Sequence, residues 1–248
     1  MSAVLPLQQL QRFALSQGFE ERLPLLQVAQ LPSLQQLSLL CWNASEAAPS
    51  ATAWAHVLQL CALTIMLEEE APPQSTMTAI LDGIAACTQL TELHLKASAA
   101  APNGDDSKRQ AVAVCGKLGG LTNLQELCIS GRSKLVAGDA RALTTLTGLT
   151  ELNLSGLGAA VNDAAAGALA RSLKQLQHLN LGRCELGDML GQLTQLTTLG
   201  LCSSSGLTQE GLMLLTGLTR LQQLWVGGCA QVTDNHVEEF WAAVRPKR

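Results

Sequence analysis

Three glutamates recur in one short setting: Glu92 in LTELHL (90–95), Glu126 in LQELCI (124–129) and Glu151 in LTELNL (149–154). A fourth copy, LQHLNL (176–181), carries His178 in their place. Two residues further along the same copies stand His94, Cys128, Asn153 and Asn180. Carboxylates, imidazoles, a thiol and amides at matching positions offer acid–base work, a Cys–His nucleophile, a metal site or recognition of a cationic chain. Which of these is open depends on how the segments lie beside one another.

All four copies are instances of L-x-x-L-x-L, which starts at or near positions 10, 34, 60, 90, 124, 149, 176, 196 and 221. The intervals are 24, 26, 30, 34, 25, 27, 20 and 25 residues, mostly inside the range of about 20–29 expected of short α/β repeats. Leucines two apart in x-L-x-L point to one side of a strand and the residues between them to the other. Each repeat therefore supplies one short parallel strand with leucine inward. The solvent side is then read in columns, because successive rungs lie about 4.8 Å apart. One column runs Arg12, Gln36, Ala62, Glu92, Glu126, Glu151, His178, Thr198, Gln223, and the next contains His94, Cys128, Asn153, Asn180, Gly200 and Trp225.

Three stacked carboxylates repel unless something positive lies over them, so this ladder is the candidate contact for a protein partner with a basic segment, and the amides beside it suit a peptide. Trp225, predicted outward on the last strand, is an anchor of the kind enriched at binding hot spots. Catalysis is not expected, because the spacing of His94, Cys128 and His178 implies neither an oxyanion site nor an orienting acid. A metal held by His94, His178 and Cys202 is excluded by rungs up to about 20 Å apart. No cofactor is expected.

Composition agrees with a chain that buries much of itself. Hydrophobic residues make up 47% and charged residues 15%, with four Trp, three Phe and no Tyr, so leucine is the packing unit. A net charge of -4 offers no basic field for phosphates, and nucleic acid is excluded as a partner on that ground. Arg245, Lys247 and Arg248 read as a solvated tail. Eight scattered cysteines without a C-x-x-C pair fit free thiols in a reducing compartment. The opening MSAVLPLQQLQRF lacks the pattern of a secretory signal. The most apolar window, 51–67, contains His56, Gln59 and Thr64 and reads as a helix end plus a strand, with no membrane span. The sequons at Asn43 and Asn153 are chance matches in such a compartment.

Between strands, capping residues followed by apolar spacing predict helices near 75–87, 105–118, 139–146, 163–173, 208–215 and 233–244. Residues 96–110, rich in Pro, Asn, Gly and Asp, predict a protruding loop. The 20-residue interval after Leu176 leaves no room for a full helix, so the outer wall should thin there. Val237, Phe240, Trp241 and Val244 should cover the last rung.

The repeats resemble those of intracellular leucine-rich-repeat proteins. VNDAAAGALARSLKQLQHLNLGRC (161–184) is similar to the ribonuclease-inhibitor-like repeat, and LQQLWVGGCAQVTDNHV (221–237) to the cysteine-containing repeat of F-box substrate receptors. The resemblance implies an α/β fold, a right-handed solenoid with a parallel concave sheet and helices on the convex face, in one domain spanning 1–248. It implies that Cys184 and Cys229, eight residues after their rung's first leucine, bond backbone groups in the turn. Ser98, Arg132, Leu157 and Ser204 depart from the family there, so irregular inner turns are expected. It further implies a cytoplasmic, monomeric protein-binding scaffold, the cytoskeleton or cilium being a further location where such arrays occur. Two alternatives are the substrate-recognition subunit of a ubiquitin ligase, against which no F-box precedes the first rung, and a GTPase or nuclease regulator, against which no acidic tail follows. The atypical first repeat is also consistent with a piece of a longer array.

Overall fold

A computed structural model describes residues 9–15, 28, 31–42, 57–67, 74–97, 113–131, 135–185 and 192–245. Its strands are β1 (Arg12–Leu15), β2 (Gln36–Trp42), β3 (Ala62–Leu67), β4 (Glu92–Ala97), β5 (Glu126–Ser130), β6 (Glu151–Asn153), β7 (Gly158–Asn162), β8 (His178–Asn180), β9 (Cys184–Glu185), β10 (Thr198–Gly200) and β11 (Gln223–Trp225). Nine of them form one parallel sheet in the order β1-β2-β3-β4-β5-β6-β8-β10-β11. Each of the nine repeat starts has produced one strand, and the register pairs equivalent residues, as in Glu92↔Glu126, Glu126↔Glu151 and Glu151↔His178, with one shift at the end of the β2–β3 pair, where Trp42 meets Leu67. A second, two-stranded sheet joins β7 to β9. Nothing in the repeat pattern foretold it.

One backbone carbonyl per rung sets this register. The residue after each starting leucine offers its oxygen to two amides of the next rung: Cys61 to Thr91 and Glu92, Gln125 to Thr150 and Glu151, Thr197 to Gln222 and Gln223. Where that residue is threonine its hydroxyl adds a third bond to the rung before, as at Thr91, Thr150 and Thr197. The inward leucines then align into a continuous core in which Leu37, Leu63, Leu93, Leu127, Leu152, Leu179 and Leu199 are buried. A further inward position lies three residues before each starting leucine. Leu31, Val57, Cys87, Leu121, Leu146, Leu173, Leu193 and Leu218 are buried there, each accepting from the starting leucine's amide.

The turns after the strands are regular from the fifth rung onward, contrary to expectation. The residue seven places after the starting leucine takes a left-handed backbone in five successive rungs, at Gly131, Gly156, Arg183, Ser203 and Gly228. From the sixth rung onward that conformation turns the following residue inward. Cys184 donates from Sγ to the Leu154 carbonyl at 3.3 Å, Ser204 from Oγ to Leu181 at 3.3 Å and Cys229 from Sγ to Leu201 at 3.1 Å. Ser204, expected to break the pattern, performs the same bond as the cysteines. Leu157 is the true exception, filling the place with buried apolar volume.

The outer wall mixes helix types. α-Helices span Gln74–Ala85, Val114–Leu118, Asp163–Ser172, Gln209–Leu214 and Asp234–Val244, while Asp139–Thr145 is a 3-10 helix, the tighter form that a short connection favours. Caps explain three of the starts: Asn162 accepts from the Ala165 amide, Thr208 from Gly211 and Thr233 from His236. Asp139 reaches sideways instead, accepting from the Cys115 and Gly116 amides at the start of the neighbouring helix. No helix is found among the described residues between β8 and β10; residues 186–191 of that interval, the loop within 98–112, the turn positions Ser98 and Arg132, the window 51–56 and Asn43 lie outside them.

At the last rung the ladder ends on a side chain. Gln222 holds the carbonyl that would receive two amides of a further rung, and Arg245 Nη2 donates to it and to Leu221, at 3.2 Å each. The guanidinium is held by stacking 4.4 Å from the Trp241 ring centre, and Trp241 meets the buried Phe240 edge-on at 5.2 Å. Arg245 is therefore part of the cap and no mere tail residue, whereas 246–248 lie outside the described residues. Arg245→Met should cost about 1 kcal/mol, because two exposed-edge carbonyls lose a charged donor. Thermal denaturation followed by circular dichroism should show a midpoint lower by about 2–4 °C; an unchanged midpoint would mean that water replaces the guanidinium without loss.

Candidate functional site

The leucines of β4, β5, β6 and β8 face the core, so the residues between them are forced onto the open concave face. Glu92, Glu126 and Glu151 stack there on adjacent strands, and His178 follows in the same column. Glu151 is exposed and its partners in the stack are half-buried. Burial pushes the Glu126 carboxyl above its ordinary value, Glu151 and Glu92 add to this by repulsion, and His94 and His178 pull it back. His178 Nε2 lies 3.9 Å from Glu151 Oε1, with about half of each side chain open to solvent. No Lys or Arg pairs with these carboxylates among the described residues.

The adjoining column is less uniform than its sequence implies. His94, Asn153 and Asn180 are half-buried on the concave face, and Trp225 is 50% exposed. Cys128 is a correction: it stands in the column but is only 8% exposed. A thiol is short, and the taller His94 and Asn153 on the flanking strands overshadow it; its sulfur contacts Ser130 Oγ at 3.9 Å. It presents almost no surface to a partner. Asn153 and Asn180 each accept, through Oδ1, from the amide two residues on, Ser155 and Gly182, at 3.0 Å. Their oxygens are committed, and the side-chain NH2 groups donate to nothing among the described residues.

Gly200 is the residue whose part the sequence does not announce. A Cβ there would lie 2.9 Å from Asn180 Oδ1 and 3.5 Å from Trp225 Cε3. The missing side chain lets the indole lie over the sheet beside Asn180. Its signal was present as the single glycine in a column of larger residues, but only the packing of Trp225 gives it meaning.

Four of the buried thiols are held in the protonated form by their surroundings. Burial pushes Cys87 and Cys184 up to about 11 and raises Cys229 and Cys115, the last also through Asp139. Cys61, Cys87, Cys115, Cys128, Cys184, Cys202 and Cys229 are all free. No group of three or more His, Cys, Asp or Glu among the described residues could hold a metal ion. No helix among them is long and apolar enough to cross a membrane. Among the described residues, an apolar recess between Met77, Ile80, Leu95, Ile129 and Leu135 carries Lys96 and Ser130 as its polar lining.

The solved structure of TLR13 in complex with ssRNA13 superposes with a TM-score of 0.55 at 17% identity, covering 97% of this chain and 35% of that one. The leucine-rich-repeat ectodomain of the Arabidopsis receptor kinase HAESA, in complex with an extended IDA peptide hormone, gives 0.51 at 21% identity over 80% of this chain and 31% of its own. The fold is the leucine-rich-repeat solenoid. The chain spans about a third of the length of each of these structures. No family model matches the sequence, and no curated protein does.

Two changes probe this surface without a partner. Because the folded state holds Glu126 above its ordinary value, ionisation opposes folding: the penalty is absent at acid pH and grows as pH rises through the glutamate range. Glu126→Gln should thus stabilise the leucine-rich-repeat sheet by about 0.5 kcal/mol at pH 7, and denaturant titration should find the gain gone near pH 4. Gly200→Ala should displace Asn180 or the indole at a cost of about 1–2 kcal/mol, seen as a lower urea midpoint with altered tryptophan emission.

Proposed function

We propose that the chain is a protein-interaction scaffold that takes an extended, basic segment of a protein partner along its concave sheet, the whole of 1–248 acting as one repeat domain. The observation that carries this reading is the unneutralised stack of Glu92, Glu126 and Glu151 in cross-strand register. Like charges directly opposite one another cost stability, and a face that keeps three of them has a use for the charge. Cationic side chains of the partner would lie over the glutamates. The free NH2 groups of Asn153 and Asn180 would receive its main-chain carbonyls. Trp225 would anchor one end, four strand spacings from Glu126, roughly 19 Å or about six residues of extended chain. His94 and His178 border the same groove, and Cys128 lies beneath it.

The HAESA ectodomain, on the same fold, was solved with a peptide. TLR13 was solved with ssRNA13, but the acidic ladder and the net charge of -4 repel phosphates. The bonded Cys184 and Cys229 favour repeats of the intracellular, cysteine-containing kind, and with them a cytoplasmic location and, as a second reading, a substrate-recognition role in a ubiquitin ligase.

Crosslinking and affinity capture with the wild type and with Glu92→Gln/Glu126→Gln/Glu151→Gln distinguish these readings. Loss of the captured partner, and its release from the wild type as salt rises, is the expected result. An identical partner set in the triple variant would sink the acidic-ladder reading, and capture of a cullin-type assembly would favour the second.

A further inference from the structure

His94 and His178 approach the glutamate stack from two sides. His178 extends the column on the strand beside Glu151, its Nε2 3.9 Å from Oε1. His94 stands two residues past Glu92 on β4, opposite Cys128. The titratable groups around them can be enumerated strand by strand. β4 brings Glu92 and Lys96, β5 brings Glu126 and Cys128, and β6 brings Glu151. The flanking β3 and β10 present Ala62, Thr64, Thr198 and Gly200, none of which titrates. Lys96 makes no ion pair among the described residues. While the carboxylates stay ionised, the charge of the ladder is therefore set by two imidazoles.

Histidine ordinarily gains its proton between about pH 8 and 5. With both rings neutral the three glutamates present a charge of −3, and with both protonated the five groups together present −1. The 3.9 Å separation is too long for a hydrogen bond and short enough for a charge pair, so protonation supplies the attraction that draws the ring onto the carboxylate. Glu151 is the most exposed of the three glutamates and the one a partner's cation reaches most readily. Both imidazoles also act on Glu126 from their places beside the stack.

We infer that His94 and His178 make the concave ladder a pH-gated surface. As pH falls from about 7.5 to 6, the His178 imidazolium takes Glu151 as its own partner, His94 adds a second internal cation, and the hold on a basic segment weakens. This rests on the reading of the ladder as the site for a basic segment, and the experiment has one arm that is free of any partner.

In the free protein, 13C resonances of the glutamate carboxyl carbons are followed from pH 8 to 5 at constant ionic strength. The Glu151 resonance should show a step in the histidine range, above its own titration, and His178→Gln should abolish it. A wild-type Glu151 resonance without that step overturns the switch, whatever binds. In the second arm, fluorescently labelled hexalysine is titrated against the wild type and against His94→Gln/His178→Gln. Wild-type affinity should be about threefold weaker at pH 6 than at pH 7.5, the double variant changing by less than about 1.5-fold. Affinity that is flat or rises toward pH 6 in the wild type overturns the switch while leaving the ladder as a binding site. Hexalysine that fails to bind at any pH overturns the switch together with the reading beneath it, even if the Glu151 step is seen.

Discussion

The structure depends on one repeated hydrogen-bond fork. A single carbonyl, one residue past each starting leucine, receives two amides of the next rung. This fixes the rung-to-rung register without any side chain. Once it is fixed, the period of two along each strand sends the leucines of x-L-x-L to the core and the residues between them to the open face. A slip of one residue would exchange the two sets, exposing the leucine core and burying three glutamates. Register, core and surface are thus one constraint seen three times.

Side chains complete the ladder where the backbone cannot. In three successive turns a thiol or hydroxyl donates inward to the rung before, which shows that the position selects a small buried donor and accepts either sulfur or oxygen. Where Leu157 stands there, apolar volume takes the place of that bond. At the last rung a guanidinium occupies the fork that backbone amides fill elsewhere. Arg245 suits this because its planar group both bridges two carbonyls and stacks on Trp241.

The same register that builds the core imposes a cost on the surface. Identical repeats place identical residues in one column, so a glutamate copied three times becomes a stack of like charges about 4.8 Å apart. Burial holds the middle carboxyl above its ordinary value, and the two histidines beside it partly relieve the repulsion. Packing is generous on the core side and unfavourable on the open side.

The sequence by itself determined the nine rungs, the inward leucines and the columns of the open face, because a strand's period of two is a local property that survives any packing. Five α-helical segments and the 3-10 segment Asp139–Thr145 were also legible from capping residues and apolar spacing. What only the tertiary structure decided were contacts between rungs. Cys128 lies in the outward column yet is covered, because its neighbours' heights, and not its own position, set its exposure. Ser204 does the work of a cysteine because the turn's left-handed residue aims it inward. Gly200 matters through an indole that comes from the next strand, and Arg245 through carbonyls over twenty residues earlier. Each of these depends on distances between segments far apart in the chain, which a periodicity within one segment does not encode.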